Sequence, residues 1–385
     1  MSGEFTGTIQ QHWGKAETTY DTAIAIVAGD TVDLVSLEIT PDLSYEEIKA
    51  HVGTGSYQGE INGASGGKWQ AVCDIAPAAA GTAPDIGFAL KAALGDETVV
   101  GGTSVTYDFN DSVPESLTWT KYAGDSFYER INGAWIEQLM IEGAKGGLPK
   151  ITLSGGFASY AYLHGVPTVN GAHTAPDTTI AVTAGHGYQV GVGAYVKFGA
   201  EDNGGAGYRV TDVTSAQLTI TPTLAGNVSD LAVIAPLVPS HTPGGTRIGG
   251  TSHGLLIDAV AVSPISLKYT VNTGIVAFDK ESSSAKPTGI LRTGGRTVDL
   301  DHDIYFRHAS MQYFSAAHFA TQVLRDFQGR YGADTAAARM LVNTDATLVK
   351  VQGVPITDGE ITTVKLMGRA RQNAAANDEF SIVFS

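Results

Sequence analysis

Residues 116–160 read SLTWTKYAGDSFYERINGAWIEQLMIEGAKGGLPKITLSGGFASY. Within them, SLTWTKY, AWIEQLMIEG and KITLSGG are apolar or alternating runs of strand length, parted by Asn-Gly and Gly-Gly-Leu-Pro. Period-two alternation with β-branched and aromatic residues, bounded by turn formers, reads as antiparallel sheet. The same grammar extends outward through TAIAIVAGDTVDLVSLEI at 22–39 and SVTYDF at 104–109.

Two stretches break the alternation. APDIGFALKAAL at 83–94 has the marks of a short helix: Thr82 to cap it, Pro84 and Asp85 in the first turn, a stripe of Ile86, Leu90 and Ala93, and Gly95 to end it. SAAHFATQVLRDFQ at 315–328 places Phe319, Val323 and Phe327 four residues apart with Gly329 behind, and predicts a second helix. A Gly-Gly turn leading into a strand precedes each, in GASGGKWQAVCDI at 63–75 and LRTGGRTVDLDHDIYF at 291–306. That order predicts an internal duplication.

Between the two halves, 166–245 changes composition. It is rich in Thr, Val and Gly, has Pro-rich ends, and carries the strands TTIAVT, AYVKFG, YRVTDV and QLTITPTL. This reads as a small all-β domain inserted in an exposed loop. The expected fold is therefore mainly β: two β-sandwich or barrel lobes, 1–164 and 251–385, each with a short helix, and an inserted β domain at 165–250.

The 385 residues allow two or three domains, and 43% apolar with only 16% charged residues fits packed strands. Cys73 is the only cysteine, so no disulfide forms within the chain, and its run KWQAVCDI suits a buried thiol. No basic leader with an apolar stretch opens the sequence and no 18 apolar residues run together, so a soluble protein kept in a reducing cell is expected, with no membrane partner. The net charge of −15 is uneven: 21 acidic against 8 basic residues in 1–164, 5 against 3 in 165–250, and 13 against 13 in 251–385. Such a chain gains nothing from phosphate neutralisation and is no ordinary nucleic-acid binder.

The motifs with chemical meaning fail on context. GTSHG at 250–254 matches G-x-S-x-G around Ser252, but a nucleophile elbow needs a helix after the serine, and the strand-like LLIDAVAV follows. DLDHD at 299–303 lacks the glycine and the terminal glutamate of a calcium loop, and His302 and His308 are too far apart along a strand to share a metal. GVGAYV at 191–196 opens a strand rather than a helix, and the pairs Glu46 and Glu47, or Asp358 and Glu360, read as solvated turns. No catalytic residue, metal or cofactor is expected.

Three passages together resemble the tail tube, or major tail, proteins of long-tailed bacteriophages. GKAETTYDTAIA at 14–25 is similar to their N-terminal arm, APDIGFALKAALGDE at 83–97 to their helix between sheets, and 116–160 to a strand, an Asn-Gly turn, an alternating strand and a Gly-Pro hairpin in that order. PITDGEITTVKLMGRARQNAAANDEFSIVFS looks like the same ending in a second lobe. The resemblance covers under half of the chain. It implies a non-enzymatic virion protein, made in the host bacterial cytoplasm, whose rings stack into a tube of the flexible, non-contractile kind. Its implied partners are other copies of itself and the tail terminator, tape measure and distal tail proteins, with DNA passing through the bore without specific binding. Two tube lobes per chain would give a trimeric ring with pseudo-sixfold symmetry; one would give a hexamer.

A conduit for DNA is served by a wall that repels phosphate. In VDLDHDIYF the alternation puts Asp299, Asp301 and Asp303 on one face, and Val298, Leu300, His302, Ile304 and Phe306 on the other. The three aspartates are the candidate lumen-facing residues, a solvated outer face being the alternative. The acidic first lobe is expected to meet basic residues of the second: Arg292, Arg296, Arg325, Arg330, Arg339, Arg369 and Arg371. Rival readings are a capsid decoration or tail adaptor protein, and a carbohydrate-binding module using Trp119, Trp135 and tyrosines as a stacking platform.

Overall fold

The computed structural model describes residues 10–22, 24–47, 60–123, 127–242, 244–249, 253–278, 284, 286–305, 324–333, 339–352, 363–372 and 378–385. The chain is mainly β. It begins with β1 (Gln10–Ala16), β2 (Thr31–Val32), β3 (Ser36–Glu47), β4 (Glu60–Asp74), helix α1 (Gly87–Leu94), β5 (Gly95–Val100) and β6 (Ser104–Phe109). Then follow β7 (Leu117–Ala123), β8 (Phe127–Ala134), β9 (Gln138–Ala144), β10 (Lys150–Phe157) and β11 (Ser159–His164). The middle holds β12 (Thr179–Ala181), β13 (Tyr195–Phe198), β14 (Tyr208–Thr214), β15 (Gln217–Thr221) and β16 (Ile234–Pro236). After it come β17 (His253–Ile257), β18 (Val260–Val262), β19 (Pro264–Asn272), β20 (Ile275–Phe278), β21 (Gly289–Arg292) and β22 (Thr297–Tyr305). The last strands are β23 (Leu324–Gly332), β24 (Arg339–Gln352), β25 (Thr363–Arg369) and β26 (Ser381–Phe384).

A 14-stranded antiparallel sheet runs from β18 to β3, and a five-stranded sheet, in the order β11-β8-β7-β1-β2, lies beside it. The strands after residue 253 continue the sheet of the first segment through β9 and β19, with Gln138–Ala144 against Ser266–Asn272. One apolar core accordingly joins Trp69, Trp119 and Leu139 to Tyr269, Leu300, Tyr331 and Phe384. Each of the aromatic side chains among them removes a large apolar area from water.

Residues 165–250 form a second five-stranded sheet with its own core around Val196, Phe198, Val210, Leu218 and Ile234. Tyr128, Ala161 and Leu163 of the first segment complete that core. Entry and exit of this module are hydrogen-bonded side by side, Thr168 bridging Val233 and the Ile234 amide donating to the Pro167 carbonyl at 2.8 Å. The returning chain is pinned to the first segment: Ile248 N–H to Ile75 O at 3.0 Å, Gly244 N–H to Asp85 Oδ2 at 3.0 Å, and Arg247 Nε against Asp74 Oδ2 at 3.1 Å.

Several expectations need correction. The run 22–39 is not one strand, because Asp30 accepts from the Val27 amide at 2.9 Å and from Lys15 Nζ at 3.1 Å and closes a single 3-10 turn at 28–30. Helix α1 starts at Gly87 with Ile86 in the cap position, since the Gly87 amide bonds Pro84 O and a turn uses up 84–86; Thr82 does not cap it. Its end is as expected, with Gly95 at φ 113° donating to Lys91 O. Asn132-Gly133 lies inside β8 rather than at a hairpin turn, and Glu46 and Glu47 end the strand β3.

The second helix fails where it can be seen. Residues 324–328 of its span form the first half of β23, and 315–323 lie outside the described residues. Phe327, Gly329 and Tyr331 alternate toward the core while β17 and β24 flank the strand on both sides. Pairing on two edges outweighs the helical spacing of Phe319, Val323 and Phe327 in the sequence.

Candidate functional site

The long sheet contains a repeated unit. Eight neighbouring strands run β3-β4-β10-β9-β19-β22-β25-β24, every pair antiparallel. In chain order, the first four are first, second, fourth, third. The next four repeat that order, and because all pairs are antiparallel they also repeat the strand directions. β19 therefore stands to β9 as a second β3 would stand to β24.

Sequence supports the equivalence at two separate places. VSLEIT at 35–40 in β3 matches ISLKYT at 265–270 in β19, equating Ser36 with Ser266 and Thr40 with Thr270. ITLSGG at 151–156 in β10 matches VKLMGR at 364–369 in β25, equating Leu153 with Leu366 and Gly155 with Gly368. The pairing registers link the two matches: Ser36 faces Val72, which faces Thr152, as Ser266 faces Asp303, which faces Lys365. The order of elements in the sequence predicts a duplication that pairs the runs holding β4 and β22, but the match of 35–40 with 265–270 was missed because 35–40 reads as the end of a longer strand.

The repeat has a stagger. A row crossing the first unit passes Ser36, Val72, Thr152 and Met140 and arrives at Thr270, four residues beyond Ser266, the equivalent of its starting point. One residue of shift per strand is the shear of closed barrels whose strands tilt by about 36°. At the two ends of the row, β3 pairs only with β4, and β24 beyond Leu348 pairs only with β25, among the described residues.

One face of the eight strands packs on the core and the other is polar. Val298, Leu300, His302 and Ile304 are buried, and Asp299, Asp301 and Asp303 all lie on the opposite face, as the alternation implies; Phe306 and His308 are outside the described residues. The aspartates are partnered. Asp299 accepts two bonds from Arg369, at 2.7 and 3.0 Å, Asp301 pairs with Lys365 Nζ at 2.8 Å, and Asp303 accepts from Ser266 Oγ at 2.8 Å. The carboxylate contacts hold Arg369 and Lys365 above their ordinary pKa. A row of alternating sign, Asp74, Lys150, Glu142, Lys268 and Asp301, crosses the same face. The face is charged but mixed, not a uniformly acidic wall.

Of the seven arginines expected to meet the first segment, Arg296 reaches Asp111 at 3.2 Å, and Arg292 and Arg296 donate to the Asn110 carbonyl. Arg325 and Arg369 pair with Asp258 and Asp299 of their own segment. Trp119 is fully buried and Trp135 is 6% exposed, so neither offers a stacking platform. Cys73 is buried in β4 and its thiol is pushed up to about 12, chiefly by burial. Ser252 lies outside the described residues, and the chain after it enters strand β17. Among the described residues no three His, Cys, Asp or Glu side chains are grouped to hold a metal, and no helix is long and apolar enough to cross a membrane. No protein-family model matches the chain, and no curated protein matches it.

Proposed function

We propose that this chain is a structural protein that assembles head to tail into rings, stacked as the tail tube of a long-tailed bacteriophage. The observation that carries the reading is the repeated four-strand unit, staggered as in a barrel and, among the described residues, left open at two complementary edges. A surface of one kind meeting a surface of another is a heterologous contact, which closes a ring when its rotation divides the circle. Edges left unpaired are ready templates for such addition.

Three copies of the eight strands make twenty-four, and a closed sheet of that size with one residue of shear per strand has a backbone diameter of roughly 40 Å. The polar face lines the bore and the core face points outward, where the module at 165–250 decorates the tube. In this arrangement Asp299 and Asp301 keep Arg369 and Lys365 engaged, so the wall presents few free cations to phosphate. Tubes of a variant with Asp299, Asp301 and Asp303 all changed to Asn are expected to retain DNA more strongly, the excess falling as salt rises; DNA release indistinguishable from wild type would remove the lumen assignment. The tail terminator, tape measure and distal tail proteins are the partners expected at the ends and within.

The deciding experiment is electron microscopy of the purified chain over a concentration series, with the mass of the smallest ring. Three-chain rings growing into open tubes are expected. Rings that never stack would favour a decoration or adaptor protein, and monomers at every concentration would count against assembly by this chain alone.

A further inference from the structure

The joint inside the chain specifies how two chains meet, given the ring reading on which this inference rests. Across β9 and β19, Gln138 stands opposite Asn272 and Met140 opposite Thr270, and Gln138 Nε2 donates to Asn272 Oδ1 at 3.1 Å. The repeat carries these positions to the outer edges. Thr152 faces Met140 as Lys365 faces Gln352, so Met140 corresponds to Gln352 and Gln138 to position 350, a lysine. Thr270 corresponds to Thr40, and Asn272, two residues on, to Asp42.

We propose that β24 of one copy pairs antiparallel with β3 of the next copy in the register that sets Lys350 opposite Asp42 and Gln352 opposite Thr40. An uncharged amide pair at the internal joint thereby becomes a pair of opposite charges at the external one. Asp42 is exposed and has no ion-pair partner among the described residues. Opposite charges facing across two strands stabilise that register and penalise its neighbours, because a slip of two residues leaves the aspartate facing an uncharged position. Pro41, beside Asp42, donates no amide bond, which keeps β3 at an edge in the lone chain and discourages indiscriminate strand addition. The charge pair makes assembly salt-sensitive and selective for the correct neighbour.

The test uses the full-length chain and follows ring formation by sedimentation and electron microscopy. Asp42→Lys and Lys350→Asp are each expected to raise the concentration for half-assembly roughly tenfold, and the double swap to restore it to near the wild-type value. Circular dichroism and thermal unfolding check that each variant folds. A second measurement reads the register directly: Thr40→Cys with Gln352→Cys, mildly oxidised, is expected to give covalent rings of three chains, since directly opposed strand residues lie within disulfide reach. The buried Cys73 does not compete. Reversals that leave rings unaffected, a swap no better than its single variants, or rings that fail to cross-link would overturn the register while leaving the ring reading intact. Wild-type chain that never leaves the monomer would overturn both.

Discussion

Gly155→Ala is expected to lower the stability of the folded chain by at least about 3 kcal/mol, in the range kept for backbone collisions inside a core. A Cβ at this position would sit 1.9 Å from the Trp135 carbonyl oxygen and 3.1 Å from the Glu137 nitrogen. Neither can retreat. The Trp135 amide donates to Gly156 O at 3.0 Å and the Glu137 amide to Ser154 O at 2.9 Å, so the two backbones are held together on both sides of the glycine. Its equivalent, Gly368, would meet the terminal methyl of Thr347 at 2.6 Å and a backbone oxygen only at 3.3 Å, so Gly368→Ala should cost less, about 1–3 kcal/mol. Urea unfolding followed by tryptophan fluorescence compares the two. Equal midpoints for Gly155→Ala and wild type would mean that the two backbones do not approach as closely as described.

Acid should destabilise the protein sooner than carboxylate titration alone would. His302 is wholly buried, its Nδ1 accepts the Lys268 amide at 3.3 Å, and its ring meets Tyr269 edge-on at 4.7 Å. Burial drives its pKa down to about 4 from 6.5. His12 falls to about 4 as well, through burial first and then the charges of Lys121 and His241. Both are neutral in the fold, whereas the unfolded chain protonates them near pH 6.5. As pH falls from 6.5 toward 4 the unfolded state therefore binds protons that the folded state does not, and stability drops by about 3 kcal/mol per histidine before levelling off. Glu17 and Asp85, whose pKa values burial raises, act with the opposite sign: they take up protons more readily when folded and blunt the loss. His302→Phe should show a shallower decline between pH 7 and pH 4.5 in denaturant titrations. An unchanged slope would exclude His302 as a source of acid lability.

The strands were legible where alternation, flanking turns and a single buried face coincided. SVTYDF, SLTWTKY and KITLSGG became β6, β7 and β10 almost residue for residue, and the four runs of the middle module became β12 to β15. Alternation also put Asp299, Asp301 and Asp303 on their face, because a period of two leaves no freedom once Leu300 is inside. What alternation cannot report is the partner across the strand. Arg369 and Lys365 lie some seventy and sixty-four residues from the aspartates they neutralise, so an acidic stripe in the sequence became a mixed-charge face in the fold. The segment 324–328 misled for the same reason, since its strand state depends on neighbours from 253–257 and 339–352. The duplication was legible in the order of elements, but a six-residue match with three identities, Ser36, Leu37 and Thr40 against Ser266, Leu267 and Thr270, acquires meaning only when the registers of three further strands agree with it.

The module at 165–250 leaves and rejoins the first segment through residues that touch, Pro167 and Ile234 being joined by a backbone hydrogen bond. Directly opposed strand residues are only about 5 Å apart, a gap that two or three residues span. The stretch between can thus be exchanged as a cassette without lengthening the scaffold, provided that its replacement covers Tyr128, Ala161 and Leu163 and pairs with β16. Such a socket lets a lineage change what its surface displays while the sheet under it is inherited unaltered, and offers an engineer the same freedom to graft a foreign domain.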